Sequence, residues 1–196
     1  MRISDDRVQH WRRDHTEVAQ GDSPPIPFDG EVYNEFRMWH VLELGPGEGR
    51  QFRKVAPICA SYSIADIVPE VLQLPIYNNV AGKFLITDYT SDNFGKMFDV
   101  IHFWYVLHHV LEWELRDFFL FCFRHLCKYG TLVFNTPSLM CPPEVYLGDG
   151  KQTTKHTPEK IVEVLHSICP TLRITISGVS CNKSWSHGYT FIVKWE

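Results

Sequence analysis

Apolar and polar positions alternate with a period near two in several short runs along this chain, and each run is followed by a turn signal or a stretch with helical spacing. Trp39–Leu44 reads as a first strand, Ala60–Asp66 as a second, Lys83–Thr87 as a third and Thr131–Asn135 as a fifth. Phe98–Val106 is a nearly continuous apolar run, as expected of a strand buried on both faces. Between these, about two helical turns are expected after Glu48, ending near Pro57, and a helix starting at Pro69. A longer helix over Glu112–Lys128 carries an aromatic face of Phe118, Phe119, Phe121 and Phe123 and is broken by Gly130. Thr157-Pro158-Glu159 supplies a capping hydroxyl, a proline at the first helical position and an acid in the first turn of a last helix. Leu172–Ser177 and Tyr189–Trp195 complete the pattern as two strands. This order predicts an α/β protein with a doubly wound, mostly parallel sheet covered by helices and finished by an antiparallel C-terminal hairpin at one edge.

Outside that frame, Ser4–Ala19 reads as a weakly amphipathic helix, residues 21–27 as a Pro-rich linker, and Glu31–Met38 as one or two helical turns. The pattern dissolves into Pro, Gly and polar residues over 138–155. One domain over 1–196 is expected: a helix and linker over 1–38, a core over 39–135, a variable segment over 138–155, and a last helix and hairpin over 156–196.

The chemistry starts where strand one ends. In Val41-Leu42-Glu43-Leu44-Gly45-Pro46-Gly47-Glu48-Gly49, three glycines at alternate positions let the backbone turn sharply and let a ligand approach the main chain. A helix beginning there offers free N–H groups to an anion, while the Glu43 carboxylate beneath the loop suits an ammonium. A ligand with both charges, such as an amino-acid head group, fits this loop better than a bare pyrophosphate. Asp66 falls 21 residues past Gly45, where a carboxylate can accept from both ribose hydroxyls, and Asp88 ends the next strand. Dinucleotide enzymes share that spacing, so spacing alone does not choose the cofactor.

With these motifs in this order, the sequence resembles the class I S-adenosylmethionine-dependent methyltransferases. Val41 to Gly49 resembles their first motif, Ala65-Asp66-Ile67-Val68-Pro69-Glu70 their ribose-binding end of strand two, and Thr87-Asp88-Tyr89 the motif whose acid meets the adenine amino group. Phe98–Ile101 with Val106–Val110 looks like their fourth strand, and Leu126–Leu132 like the turn before their fifth, with Tyr129 where a glycine is common. The resemblance implies a seven-stranded Rossmann-like methyltransferase fold and S-adenosylmethionine as cofactor. It implies that Glu43, Gly45, Pro46, Gly47, Gly49, Asp66, Ile67, Asp88, Tyr89 and the backbone at Phe103 bind that cofactor. On the acceptor side, His108 or His156 could act as general base, with His109 read as a core or helix-start histidine, and Trp104 and Tyr105 as pocket walls. No metal is expected, because Tyr105–His109 lacks the carboxylates of the metal-binding variants, and no Asn/Asp-Pro-Pro-aromatic motif ends strand four.

Charge and composition narrow the acceptor. The net charge is −4, and no Lys/Arg run follows the first thirteen residues, which argues against a nucleic-acid substrate and for a small-molecule acceptor. Six scattered cysteines without a Cys-x-x-Cys pair, a charged N-terminus and no apolar run of about 18 residues suggest the cytoplasm and no membrane span. Nothing specifies an oligomeric state. Two other readings stay open: a non-catalytic S-adenosylmethionine-binding module, and a NAD-dependent oxidoreductase. Glu43 and the lack of a second domain argue against the latter.

Overall fold

The computed structural model describes residues 2–9, 12, 30–137, 154, 156–179 and 188–196. Seven strands form one sheet in the order β3-β2-β1-β4-β5-β7-β6. They are β1 (His40–Leu44), β2 (Ser61–Asp66), β3 (Gly82–Leu85), β4 (Phe98–Phe103), β5 (Leu126–Pro137), β6 (Arg173–Val179) and β7 (Gly188–Lys194). The first five run parallel, and β7 pairs antiparallel with both β5 and β6. Chain order reverses between β1 and β4. That switch point is where ligands bind in open α/β sheets.

Alternation along the strands builds two cores. Leu42, Leu44, Ile101 and Phe103 face one side with helices α3 (Leu115–His125) and α4 (Pro158–Ile168), while Val41, Ile64, Val100 and Val133 face the other with Val32 and Phe36, from helix α1 (Gly30–Asn34) and the turn after it. An aromatic ladder ties β4, β5 and β7 together. Phe103 stacks on Phe134 and Phe134 on Phe191, each at 4.8 Å between ring centroids. Such pairs contribute about 0.5–1.5 kcal/mol each beyond their buried area. The cap foreseen at Thr157 is present, its hydroxyl accepting from Lys160 N–H at 3.1 Å.

Several boundaries differ from expectation, for local reasons. The helix after the glycine loop is a single turn, α2 (Phe52–Val55), followed by a 3₁₀ turn at Ala56–Ile58. Its stop near Pro57 is the expected one, since proline lacks the N–H that would continue the α-helical ladder; the difference is the start at Phe52. The helix expected after Pro69 is replaced by two 3₁₀ turns, Val71–Gln73 and Pro75–Tyr77, the second again set by a proline. β3 ends two residues early and β4 stops at Phe103, because Tyr105 takes a left-handed φ of 56° that no strand continues. The long helix begins with a 3₁₀ turn at Glu112–Glu114 and ends at His125; β5 then starts at Leu126 with a register shift against β4 between Phe98 and Val100. Tyr129 has φ 67°, the left-handed conformation that a glycine would adopt without strain.

Of the expected Ser4–Ala19 helix, residues 5–9 and 12 are described as helical. Linker 21–27, the hairpin loop 181–184 and nearly all of segment 138–155 lie outside the described residues. Among the described residues, no helix is long and apolar enough to cross a membrane.

Candidate functional site

The site grows from the switch point. β1 and β4 are paired with Leu44 opposite Phe103, so the segments leaving both strands meet above the sheet edge. Gly45 has φ +64°, and a Cβ built on it would stand 2.6 Å from Val106 Cγ2. Only glycine lets the two segments approach this closely. The rest of the loop is held from beneath: the Tyr77 hydroxyl donates to the carbonyls of Pro46 (3.1 Å) and Gly47 (2.9 Å). With α2 only one turn long, the loop offers its positive-φ backbone to a ligand far more than a helix dipole.

A cavity of about 120 Å³ opens beside this loop. Its wall takes Gly45 from the β1 loop, Asp66 and Ile67 from the end of β2, Tyr89 from beyond β3, and Tyr105, Val106 and His109 from beyond β4. The N-terminal turn closes it. Ile3 is buried, its N–H donating to Thr87 O at 2.8 Å, and Arg7 reaches the wall while its Nη2 donates to Glu114 Oε2 at 2.8 Å. Typical ligand pockets span about 300–1,000 Å³, so the cleft at this width holds only part of a nucleoside-sized ligand.

Two buried carboxylates flank the loop. Glu43 is 2 % exposed and accepts from the Tyr62 hydroxyl at 2.6 Å. Burial pushes its pKa up to about 8, helped by the nearby Asp66 charge and opposed by the Tyr62 hydrogen bond. Asp66 Oδ1 accepts from Val68 N–H at 2.8 Å, and burial raises this carboxyl to about 7 against the pull of the Val68 and Ile67 amides. A cationic head group and a pair of hydroxyl donors are the partners that would let these groups ionise.

Not all expected residues converge. Gly45, Asp66, Ile67, Tyr89 and Tyr105 line the cavity, whereas Pro46, Gly47 and Gly49 form the loop beyond it and Glu43 lies below. Asp88 is turned into a local bend, its Oδ1 accepting from Thr90 N–H (2.7 Å) and Thr90 Oγ1 (2.6 Å). The Phe103 ring is fully buried in the aromatic ladder, as its apolar strand position requires. Trp104 is on the opposite side of the sheet from the cavity, its indole Nε1 donating to His102 Nδ1 at 2.9 Å, because successive strand side chains alternate faces.

The two histidines expected as bases are both buried. His108 sits behind the wall with its ring against His109 at 3.6 Å between centroids, and burial with the neighbouring His156 lowers its pKa to about 3. His156 Nε2 donates to Val110 O at 2.8 Å, which ties the start of α4 to the turn after β4. His109, the one read as packing, faces the cavity instead. The 3₁₀ turn at Leu107–His109 decides which neighbour points outward, and no periodicity in the sequence sets that phase. Arg7 carried no sequence signal either; only the tertiary fold brings the N-terminal turn to the cleft. His102 did leave one, as a polar residue inside the apolar run of β4.

A family model described as "Methyltransferase domain" matches residues 8–167. The chain belongs to the class I S-adenosylmethionine-dependent methyltransferases. No curated protein sequence matches it. Among solved structures, it is similar to the N-methyltransferase NodS from Bradyrhizobium japonicum WM9 in complex with S-adenosylhomocysteine: TM-score 0.69, 16% identity, covering 93% of this chain and 96% of that one. It is also similar to magnesium protoporphyrin IX methyltransferase (ChlM) from Synechocystis PCC 6803 with bound S-adenosylhomocysteine (TM-score 0.65, 14% identity, 97% of each chain). A third similar structure is the DhpI-SAM-HEP complex (TM-score 0.67, 14% identity, 97% of this chain and 99% of that one). At such identities the likeness establishes the methyltransferase fold, and the seven-stranded sheet with its C-terminal hairpin agrees with it.

Proposed function

We propose that this methyltransferase acts on a small-molecule acceptor, methylating an oxygen, nitrogen or carbon, with Glu43, the glycine loop and Asp66 holding S-adenosylmethionine. One observation carries the reading: a glycine cradle that a Cβ would fill, flanked by two buried carboxylates whose raised pKa values call for cationic and hydroxyl partners. The residues present therefore fit the cofactor. When bound, it supplies a methyl group on a sulfonium, already activated for displacement. Glu43 would pair with the ammonium of its amino-acid end, Asp66 would accept from the ribose, and Ile67 and Tyr89 would bound the adenine side, while Asp88, turned toward Thr90, is not part of that wall. Gly45, Pro46, Gly47 and Gly49 give backbone to the amino-acid end, as does the main chain at Phe103.

The narrow cleft and acidic chain favour a small acceptor, and the names of NodS and ChlM describe an N-methylation and a small-molecule substrate. Tyr105 walls the acceptor side, its N–H held by Asn135 Oδ1 at 2.7 Å. Where the acceptor must lose a proton, His109 at the wall is the better-placed base. A buried imidazole with pKa about 3, such as His108, holds a proton too weakly to assist at neutral pH.

Calorimetry tests the cofactor assignment: S-adenosylhomocysteine should bind and NAD should not, and Asp66→Asn should weaken binding by about 1–3 kcal/mol. Tight NAD binding with no response to S-adenosylhomocysteine would overturn the reading. The base is tested by turnover of S-adenosylmethionine with a panel of hydroxylated and amine acceptors. His109→Ala should lose about 10²–10⁴ in kcat with unchanged cofactor affinity, whereas His108→Ala should mainly lower stability. The opposite pattern would return the role to His108.

A further inference from the structure

Beneath the glycine loop, four buried side chains form one hydrogen-bonded line across β2, β1 and β4. Trp104 Nε1 donates to His102 Nδ1 (2.9 Å), His102 Nε2 is 2.8 Å from the Tyr62 hydroxyl, and that hydroxyl donates to Glu43 Oε2 (2.6 Å). All four are 7% exposed or less. Glu43 and His102 are register partners, so their side chains stand side by side on one face. Phe36 packs edge-on against His102 at 5.0 Å and Phe52 against Tyr62 at 5.3 Å between centroids, which keeps the line dry.

The direction of every bond is determined. An indole N–H donates and never accepts, so His102 Nδ1 carries no proton. Burial lowers the His102 pKa to about 3, so the ring is neutral and its single proton is on Nε2. Nε2 therefore donates to the Tyr62 oxygen, and the one Tyr62 proton is left for Glu43. A buried network satisfied at every member holds its groups in one orientation. Nothing in the proposed function uses Trp104, His102 or Tyr62, although their line ends on the carboxylate under the loop.

We propose that Trp104, His102 and Tyr62 are positioning residues for cofactor binding: the indole fixes the His102 tautomer, the imidazole orients the Tyr62 hydroxyl, and the hydroxyl holds the Glu43 carboxylate for the cofactor ammonium. This rests on the reading of Glu43 as the head-group carboxylate. Removing the indole donor frees His102 to carry its proton on Nδ1; Nε2 then accepts from Tyr62, whose proton turns away from Glu43. The other ionisable groups acting on Glu43 and Tyr62 are Asp66, Tyr77 and Cys59, and of these Asp66 alone is held near neutral pH, so the Glu43 carboxyl has to be followed individually.

Three measurements on the whole chain test the relay: ¹⁵N shifts of the His102 ring, the ¹³C titration of the Glu43 carboxyl, and S-adenosylhomocysteine affinity from about pH 6 to about pH 9. In the unaltered protein the ring should be the Nε2–H tautomer, and affinity should rise by up to about tenfold per pH unit until Glu43 is ionised. Trp104→Phe should move the His102 proton toward Nδ1, shift the Glu43 titration upward and weaken binding at neutral pH by about tenfold or more. Tyr62→Phe should shift the titration and affinity in the same way. The double variant should be no worse than Tyr62→Phe alone, because the indole acts only through the hydroxyl. If Trp104→Phe fails to fold, Tyr62→Phe decides by itself, since it removes one oxygen and leaves the ring packed. An unchanged Glu43 titration and pH profile in these variants would overturn the relay. Failure of the unaltered protein to bind S-adenosylhomocysteine would instead overturn the head-group reading.

Discussion

Glu43→Gln is expected to make the free protein more stable at about pH 8.5 and, at the same time, to remove most of its affinity for S-adenosylhomocysteine. Folding raises the Glu43 pKa from 4.5 to about 8, with burial the main cause. Between those values the native state holds a proton that the unfolded chain has released, so this group takes away stability as pH rises through the window. Asp66, raised from 3.8 to about 7, acts in the same direction. His102 and His108 act on the acid side: both fall from 6.5 to about 3, so their cost is incurred as pH drops below 6.5. Glutamine keeps an acceptor for the Tyr62 hydroxyl and never ionises. At about pH 8.5 it should recover about 2–4 kcal/mol, or roughly 5–10 °C in Tm for a chain of this size. At about pH 3.5, below the unfolded-state pKa, the carboxyl is mostly protonated in both native and unfolded protein and the difference should vanish. Losing the buried partner of an ammonium costs about 2 kcal/mol or more in binding, roughly thirtyfold in Kd. A variant that is less stable at the alkaline pH, or that binds as well as the parent, would show that Glu43 is not a strained binding carboxylate. Keeping a residue that weakens the free fold is typical of a binding site, where strain is relieved only by the ligand.

Gly45→Ala carries the second large effect, and two other glycines separate its causes. Gly45 and Gly95 have nearly the same φ, +64° and +62°, but a Cβ at Gly95 would meet nothing within 4 Å, while at Gly45 it would stand 2.6 Å from Val106 Cγ2. Gly95→Ala should therefore cost only the left-handed backbone, about 1–2 kcal/mol, and leave cofactor binding intact. Gly45→Ala should cost that plus the displacement of Val106 and the strained Tyr105 turn, about 2–5 kcal/mol in total, and should abolish cofactor binding. Gly178→Ala, with an open surrounding and no positive φ, should be near neutral. The contact with Val106 can be isolated in a double variant: Val106→Ala should restore part of the stability lost in Gly45→Ala, a coupling that non-touching residues do not show. Chemical denaturation and calorimetry read both quantities. Equal losses at Gly45 and Gly95 would mean that conformation alone, and not the close approach of the two segments, keeps glycine at the loop.

The order of strands, the parallel sheet and the antiparallel ending were legible because each depends on local patterning. Alternation marks half-buried strands, the apolar run marks central β4, and Thr157-Pro158 carries its own capping chemistry. The glycine loop and the acids at Glu43 and Asp66 were legible for the same reason: motif and strand end are adjacent in the chain. Apart from the stop near Pro57, element ends were not, because the 3₁₀ turn at Pro75 and the left-handed Tyr105 and Tyr129 shift them, and those conformations depend on what packs around them. Which histidine faces the cleft depended on the phase of one 3₁₀ turn. Arg7 reaches the wall from far upstream of Gly45, and no local pattern announces a contact made across so long a connection.

Neighbouring residues alone therefore specify the scaffold and the glycine loop, since both are written in short, contiguous motifs. The protonation and direction of the buried line from Trp104 to Glu43 arise only in the folded molecule. Three of those side chains come from three strands and Trp104 from the bend after β4, and the donor at one end fixes the proton at the other only when the strands are in register and water is excluded.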